Sequence, residues 1–420
     1  DALSEEQGKL EVEKEDFEFV EVSRGALNKI GEYVEKLGIR KLGIEDKQVT
    51  VSYYKELKNT FQAELIGVEN KLQLIRMIKT NKEIEIIKRA IEISDYSFQE
   101  TIKVIKKGMT EKEIAAHIEY MQRKMGADDT SFATIVASGV RSAMPHGVAS
   151  DKKIEEDEFI TIDFGCYYDG YVSDMTRTIY FGNNISDKHK EIYNTVLNAQ
   201  LMGVNNIKSG MLTSEIDKIV RDYITEKGYG DKFGHGLGHG IGLEIHEAPA
   251  LSPVTNTVLE ENMVVTVEPG IYVEGFGGVR IEDDVVITKS GCEILNKTSI
   301  DVNTFLNDVL NESRYLIKSK NSLITTDFSK LKSNNIIIDR ERIAVILKNI
   351  IENAIIYNNK QPEIKISFAD SDINDCYLIT ISDNGIGISD SEKENIFNRF
   401  YRVDDARPIN IAGSGLRSEE

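Results

Sequence analysis

Cysteine is scarce in this 420-residue chain. Cys166, Cys292 and Cys376 are far apart and odd in number, so they supply neither a disulfide framework nor a CxxC metal pair; a reducing compartment is the expectation. Long apolar runs are missing too. None approaches the ~20 residues a membrane span requires, and the segment opening with Asp1 carries no signal-peptide pattern. A cytoplasmic protein with no membrane partner is expected. Positive charge is in deficit: 51 Lys and Arg against 70 Asp and Glu leave a net charge of −19, which repels nucleic-acid phosphates and anionic lipid. No nucleic-acid partner is expected. An initiator methionine is also lacking, which suggests a product trimmed or excerpted from a longer one. What is present suffices for real cores: 40% of the residues are apolar, and at about 150 residues per domain the length allows two or three domains.

Composition changes near residue 300. Residues 1–300 hold all 6 histidines and 27 of the 31 glycines, whereas residues 301–420 hold no histidine, 4 glycines and 15 asparagines. That shift marks a domain boundary. Residues 17–67 read as short apolar strands at 17–22, 42–45 and 63–66 around a helix near 25–37, an α/β pattern with too few strands for a complete domain. Residues 81–107 read as one amphipathic helix, with Ile84, Ile87, Ile91 and Phe98 at helical spacing and Gly108 as its stop. Thr110 and Glu113 form a capping box for a following helix that ends near Gly126. From residue 131 to 300 the pattern is β-hairpins, broken by helices at about 188–206 and 213–227. His117 and His189 fall on helices and read as structural or surface residues.

Polar residues interrupt two of these hairpins. Phe159-Ile-Thr-Ile-Asp-Phe-Gly and Val172-Ser-Asp-Met-Thr-Arg flank a Tyr-Tyr-Asp-Gly-Tyr turn. A turn centred on 168–169 sets Asp163 directly opposite Asp174; one centred on 169–170 makes them diagonal neighbours on one face. Two facing aspartates in apolar strands are costly to bury unless a cation joins them. Ion pairing with Arg177 and a lysine is the metal-free alternative. A second hairpin, built from Met263-Val-Val-Thr-Val-Glu-Pro-Gly-Ile-Tyr and Val279-Arg-Ile-Glu-Asp-Asp-Val-Val-Ile-Thr, brings Glu268 near Glu282. Asp283 and Asp284 read as a solvated strand end. Between the hairpins, Gly234-His-Gly-Leu-Gly-His-Gly-Ile-Gly-Leu-Glu-Ile-His-Glu carries His235, His239 and His246 on a crowded polar strand, and His146 completes a set of four. There is no HExxH and no GxGxxG, which excludes a zincin and a phosphate cradle. Four carboxylates and one imidazole balance two divalent cations, and the oxygen-rich set favours manganese. Such a centre can hold a bridging hydroxide and polarise a carbonyl for amide hydrolysis.

From about residue 71 to 300 the chain resembles the pita-bread metallopeptidases, specifically the Xaa-Pro aminopeptidase and prolidase group. The residues carrying this are Ile135-Val-Ala-Ser-Gly, Pro145-His-Gly, Thr161-Ile-Asp-Phe-Gly, Ser173-Asp-Met-Thr-Arg, Gly238-His-Gly-Ile-Gly-Leu-Glu-Ile-His-Glu, Thr266-Val-Glu-Pro-Gly-Ile-Tyr and Gly278-Val-Arg-Ile-Glu-Asp-Asp. The resemblance implies that Asp163, Asp174, His239, Glu268 and Glu282 bind two divalent metal ions, with Mn2+ first and Co2+ or Zn2+ as alternatives, and that Asp174 and Glu282 bridge them. It implies Glu268 as acceptor of the proton of the attacking water and His246 as stabiliser of the tetrahedral intermediate. His146 and His235 would position the substrate, and Arg280 would orient the neighbouring carboxylates. The expected substrates are peptides with proline at the second position. Methionine aminopeptidases share the ligands; the α/β segment before residue 70 separates the two, because it resembles the second half of the creatinase-type N-terminal domain. In that family this domain helps form oligomers, so a homodimer is expected.

Residues 301–420 carry a different signal. Asn349, Asn353 and Tyr357 lie at i, i+4 and i+8 of one helix face, followed by Ser382-Asp-Asn-Gly-Ile-Gly-Ile, Ile396-Phe-Asn-Arg-Phe-Tyr-Arg and Gly413-Ser-Gly-Leu. In this order they resemble the N, G1, F and G2 boxes of the ATP-binding domain of sensor histidine kinases. The resemblance implies Asn349 and Asn353 near phosphate and Mg2+, and Asp383 on the adenine amine. It implies Gly385, Gly387, Gly413 and Gly415 in loops near the nucleotide, with ATP and Mg2+ as weakly bound ligands. No phosphoacceptor histidine is present in this part, Ile356 stands where a lysine is usual, and the helix and strand that follow Gly-Ser-Gly-Leu in that family are lacking. Autophosphorylation is not expected. The overall expectation is an α+β chain: a partial creatinase-type domain (1–70), a pita-bread catalytic domain (71–300) and a truncated Bergerat-type α/β sandwich (301–420). It looks like a fusion joined near residues 296–303.

Overall fold

The computed structural model describes residues 20, 22, 26–296, 298–333, 335–338, 340–371 and 376–387. The chain divides into two compact units, residues 1–78 and 79–420. In the first, the order is α1 (Ala26–Lys36), β1 (Lys41–Ile44), α2 (Val51–Thr60), β2 (Glu64–Gly67) and α3 (Glu69–Met77). β1 and β2 pair in parallel, Lys41 opposite Glu64 through Ile44 opposite Gly67, so α2 is the crossover that a parallel pair needs. Neither α2 nor α3 is anticipated by the sequence pattern. The β-branched and aromatic start of α2, Val51-Ser-Tyr-Tyr, hides it, although Thr50 caps it by accepting the Tyr53 N–H at 3.2 Å. The strand expected at 17–22 lies outside the described residues, except for Val20 and Val22, which are in no strand.

The second unit opens with α4 (Asn81–Ile102) and α5 (Glu111–Lys124). Reciprocal capping boxes start both, Thr80 with Glu83 and Thr110 with Glu113. α4 ends five residues earlier than its apolar spacing suggests, because the chain turns away to let the Gly108 N–H reach Ile154 O at 2.9 Å, with Gly108 at φ +86°. There follow β3 (Asp129–Thr130), β4 (Ile135–Ser138), β5 (Glu158–Phe164), β6 (Cys166–Tyr168), β7 (Tyr171–Val172), β8 (Met175–Phe181), α6 (Asp187–Asn206) and α7 (Thr213–Glu226). Then come β9 (Gly238–Gly240), β10 (Glu247–Leu251), β11 (Val264–Val267), β12 (Gly270–Val273), β13 (Gly277–Arg280), β14 (Asp283–Ile287) and β15 (Cys292–Ile294). The strands form an antiparallel β4-β5-β8 sheet, a five-stranded β10-β9-β11-β14-β15 sheet, the β12-β13 ribbon and a small β3-β6-β7 sheet. α5 buries Ile114 and Ile118 against Val136, Ile160, Ile162 and Phe164. α4 buries Ile84, Ile87 and Ile91 against Val172, Ile241, Val264 and Val286. α5 thus lays its apolar stripe on the β4-β5-β8 sheet, and α4 lays its own on two others, through Val172 on the small sheet and Val264 and Val286 on the five-stranded one.

β8 and the second hairpin are laced together. The Glu282 N–H donates to Thr176 O at 3.1 Å, the Arg280 N–H to Thr178 Oγ1 at 3.1 Å, and Thr178 Oγ1 to Arg280 O at 3.0 Å. This seam brings the two polar-interrupted hairpins face to face.

Beyond it lie β16 (Thr298–Asp301), α8 (Val302–Glu312), α9 (Arg314–Ser319), β17 (Leu323–Lys330), β18 (Asn335–Ile338), α10 (Arg340–Ile356), β19 (Glu363–Asp370) and β20 (Tyr377–Asp383). β16 pairs antiparallel with β18, and β17-β19-β20 form a second sheet. Phe305 and Val309 from α8, Leu347 and Ile351 from α10, and Ile364, Ile366 and Phe368 from β19 share one core. Among the described residues no helix is long and apolar enough to cross a membrane.

Candidate metal centre

The first hairpin turns at Asp169 (φ 49°) and Gly170 (φ 80°), the left-handed pair that a two-residue Asp-Gly turn requires. Tyr168 therefore faces Tyr171, and Asp163 faces Thr176. Of the two registers the sequence leaves open, the one centred on 169–170 holds. Asp174, two residues before Thr176, is the diagonal neighbour of Asp163. In the same register it stands opposite Gly165, where any Cβ would run into Ser173 O and Ser131 Oγ.

In the second hairpin Val267 faces Asp283 and Gly270 faces Arg280. One register runs through both ladders, so Glu268 stands opposite Glu282 at the point where the chain leaves the large sheet for the β12-β13 ribbon. Seam and register together converge the carboxylates of both hairpins. Asp174, His239 and Glu282 each offer a ligand atom within 4.8 Å of the others. His239 Nε2 is 3.4 Å from Glu268 Oε1 and 3.6 Å from Asp174 Oδ2. Asp163 joins through Arg280, whose Nη2 lies 2.5 Å from Asp163 Oδ2.

The electrostatics follow from burial. Burial and the charge of Glu282, then that of Asp163, push the Asp174 carboxyl well above the usual carboxylate range. Burial and the charges of Glu268 and Asp163 do the same to Glu282. Burial also raises Glu268, against the pull of His235 and Arg280. His239 is lowered by burial, and its Nδ1 lies 3.1 Å from Gly240 O. A carbonyl can only accept, so Nδ1 carries the proton and Nε2 faces the carboxylates with its lone pair. His235 has the same tautomer for the same reason, with Nδ1 on Gly236 O at 2.8 Å and Nε2 accepting from Tyr272 OH at 3.0 Å.

The donor set suits divalent cations. Buried oxygens Asp163 Oδ1 and Glu282 Oε1 find no hydrogen-bond partner among the described residues, which is costly for a carboxylate unless a cation takes its place. Several carboxylates around one neutral imidazole match hard, oxygen-preferring ions.

His246 lies tilted against His239, ring centroids 4.3 Å apart, and burial lowers its pKa. The strand expected for this stretch is confined to Gly238–Gly240. Glu247, paired with the buried Lys79 at 3.2 Å, accepts the N–H groups of Leu243 at 2.9 Å and Glu244 at 3.1 Å and folds the chain into a turn carrying His246. His146 is exposed on the segment after β4, and His235 is half-buried. Arg280 is buried among Asp163, Thr176 Oγ1 (3.0 Å), Tyr272 OH (2.8 Å) and Pro145 O (3.2 Å). Arg177 instead binds Asp283 at 2.6 Å and the Glu282 carbonyl, so the metal-free pairing of Asp163 and Asp174 with Arg177 does not form.

The solvated strand end expected at Asp283 and Asp284 is a second correction. Asp284 is 0% exposed and accepts the Asp174 N–H at 3.0 Å, while its own N–H donates to Asn296 Oδ1 at 2.7 Å. Cover from β15 and Asn296 buries it, and alternation along β14 says nothing of that cover. Tyr272, pushed up to about 12 by burial, is also missed by sequence reasoning. Its signal is the i+4 spacing from Glu268 on one face of an extended chain. His117 and His189 sit on α5 and α6 as expected, His117 beside Thr101 Oγ1 at 3.0 Å and His189 against Phe159 and Phe276.

In the C-terminal part, Asn349 and Asn353 are half-buried on α10, and Tyr357 follows its last turn, its N–H on Asn353 O at 2.9 Å. Asp383 ends β20 and accepts the Gly385 N–H at 2.8 Å, and the Ile386 N–H reaches Tyr357 O at 3.4 Å. Gly387 closes this loop at φ 73°. Gly413, Gly415 and the Phe-rich box at 396–402 lie outside the described residues.

Comparison with known proteins agrees with this geometry. Residues 85–289 match metallopeptidase family M24, residues 2–78 the creatinase/prolidase N-terminal domain, and residues 338–418 the histidine kinase-, DNA gyrase B- and HSP90-like ATPases. The Xaa-Pro dipeptidase of Pyrococcus horikoshii is 47% identical over 272 residues, which are 64% of this chain and 77% of that protein. Among solved structures, an Xaa-Pro dipeptidase from Bacillus anthracis (50% identity, TM-score 0.67) covers 69% of this chain and 81% of its own. An X-Pro aminopeptidase from Thermotoga maritima (47%, TM-score 0.67) covers 70% and 84%. The α+β pita-bread fold, the N-terminal creatinase-type domain and the ATPase-like C-terminal segment are thus present in one chain. With its buried carboxylate-imidazole cluster on two facing hairpins and these likenesses, the chain belongs to metallopeptidase family M24.

Proposed function

We propose that the chain is a dinuclear-metal aminopeptidase that hydrolyses the bond between an N-terminal residue and proline. The observation that carries this is the convergence of Asp174, His239 and Glu282 ligand atoms within 4.8 Å, with Glu268 and Asp163 adjoining. These five residues would hold the two ions, with Mn2+ as the preferred ion. The ions supply Lewis-acid polarisation of the scissile carbonyl. The chain's own groups supply the rest. Thr266 Oγ1 donates to Glu268 Oε1 at 3.1 Å, so Oε2 is the atom left to take the proton of the attacking water. His246, held neutral by burial, donates a hydrogen bond to the oxyanion of the tetrahedral intermediate. His146 holds the peptide, His235 joins it by exchanging its bond to Tyr272 OH for one to the substrate, and Arg280 keeps Asp163 in place. The creatinase/prolidase N-terminal match favours Xaa-Pro over methionine-aminopeptidase specificity, in keeping with the Xaa-Pro peptidases that the chain is similar to.

The test is turnover of Ala-Pro, Xaa-Pro-Xaa and Met-Ala-Xaa peptides with Mn2+. Cleavage before proline is expected, with Asp174→Asn and His246→Ala each lowering kcat by at least about 10²-fold. Full activity in either variant, or preferential removal of methionine, overturns the reading.

The C-terminal part supports a separate reading, a weak nucleotide-binding module without kinase activity. Asn349 and Asn353 would face phosphate and Mg2+, and Asp383 the adenine amine. The observation favouring it is the junction of the Asp383–Gly385 turn with Tyr357 at the end of α10.

A further inference from the structure

Glu111 is completely buried at the start of α5, away from the carboxylate cluster, and the mechanism above does not use it. Both of its oxygens are engaged. Oε1 accepts the Ser138 N–H and Ser138 Oγ, each at 2.8 Å, and Oε2 accepts the Ser150 N–H at 3.0 Å and Ser150 Oγ at 2.6 Å. Arg141 Nε is shared between them, at 3.3 Å from Oε1 and 3.1 Å from Oε2. A guanidinium and four neutral donors make burial of this charge tolerable.

The donors come from the two feet of one segment. Ser138 closes β4 and Ser150 follows His146, so a single carboxylate ties both ends of the 138–150 excursion. Arg141 extends the clamp, its Nη2 donating to Val148 O at 2.9 Å, just beyond His146. The tip is tied to the metal hairpin: the Gly278 N–H donates to Ser142 Oγ at 2.8 Å and Arg280 Nη1 to Pro145 O at 3.2 Å. His146 comes immediately after Pro145. It therefore stands one residue from the contact with Arg280, the residue that pairs with Asp163. The excursion is therefore fixed at its feet by Glu111 and at its tip by Arg280, with His146 between the two fixings.

We infer that Glu111 is a positioning residue whose carboxylate, by closing both feet of the 138–150 segment, sets where His146 stands beside the metal centre and so governs substrate binding rather than bond cleavage. This rests on the reading of His146 as a substrate-holding group. A small displacement of such a group is felt strongly. A residue serving the fold alone would change stability without a selective change in KM.

The experiment compares wild type, Glu111→Gln, His146→Ala and the double variant in the full chain with Mn2+, with kcat and KM measured separately. Gln keeps the shape but turns one acceptor into a donor facing the serine N–H groups, so one foot loosens. Expected is a KM increase of about tenfold with kcat within about twofold. In the His146→Ala background, Glu111→Gln should add no further increase. KM increases that multiply in the double variant, or an unmoved KM in Glu111→Gln, overturn the inference while the peptidase reading stands. A wild type that cleaves no Xaa-Pro peptide overturns the peptidase reading and this inference with it. Should Glu111→Gln fail to fold, Ser150→Ala and Arg141→Met remove donors instead of the buried acceptor. They enter the same cycle with His146→Ala under the same criteria.

Discussion

Arg280 Nη2 lies 2.5 Å from Asp163 Oδ2, with the two side chains 4% and 12% exposed. The pair sits inside a carboxylate cluster, so the guanidinium neutralises one of several negative charges that the two hairpins force together. Burial works against the Arg280 charge, but Tyr272, Asp163 and Glu268 outweigh it and raise its pKa further. Arg280 thus stays charged at any working pH and leaves Asp163 Oδ1 as the oxygen still open to a cation.

Replacing it tests that role. Arg280→Met strands a buried carboxylate, and breaking such a pair costs about 3–5 kcal/mol. Urea unfolding with chelator present should show a loss of this size. With Mn2+ added the loss should shrink, because a cation then compensates Asp163. Equal losses in both conditions would mean that Arg280 acts by packing alone.

Metal removal should destabilise the whole second unit. A ligand that binds only the folded state stabilises it by about 2.7 kcal/mol at a hundredfold excess over its Kd. Calorimetric melting is expected to show a higher Tm with Mn2+ than after chelation, and Asp174→Asn should lose most of the difference. Identical Tm values with and without metal would reject the centre.

Acid should dissolve one helix start before the other contacts of α4. Burial raises the Glu83 pKa, but hydrogen bonds from the Thr80 backbone and side chain and from Tyr171 outweigh it, so its net shift is downward from 4.5. The unfolded chain then binds the proton more readily. The contribution of Glu83 is full above about pH 4.5 and is lost as pH falls through the lower folded value. Glu83→Ala should cost about 1 kcal/mol at pH 7, and the gap to wild type should close in acid. A gap independent of pH would mean that the carboxylate charge is irrelevant.

Nucleotide and peptide chemistry should be independent. Calorimetry is expected to give weak ATP binding that Asn353→Ala removes, and saturating ATP should leave peptide hydrolysis unchanged. An ATP-dependent KM would contradict this independence.

Much of the centre was readable from residue types alone, because Asp163, Asp174, Glu268 and Glu282 break apolar strands where nothing but a cation or a partner could justify them. Register was less readable. Two turn positions were compatible with the first hairpin, and the positive φ values at Asp169 and Gly170 decide between them. The burial of Asp284 comes from a strand and an asparagine later in the chain, a tertiary fact with no local signature. α2 has no periodic signature because Val51 and two tyrosines argue for strand, whereas the helix depends on the Thr50 cap and the crossover it must make. The helix ends at Ile102 and Glu226 fall five residues and one residue short of the periodic pattern, where capping and turns rather than periodicity set the stop.

Asn296 gives a rule for dividing the chain. Its side chain takes the Asp284 N–H on one side and offers Nδ2 to Asp95 at 3.4 Å on the other, and Thr298 begins the strand that pairs with β18. Surgery that stops at Leu295 would unfasten the support beneath Asp174, whereas a cut just past Asn296 would cost the peptidase portion none of those bonds. Anyone separating the two parts has a margin about as wide as a single residue.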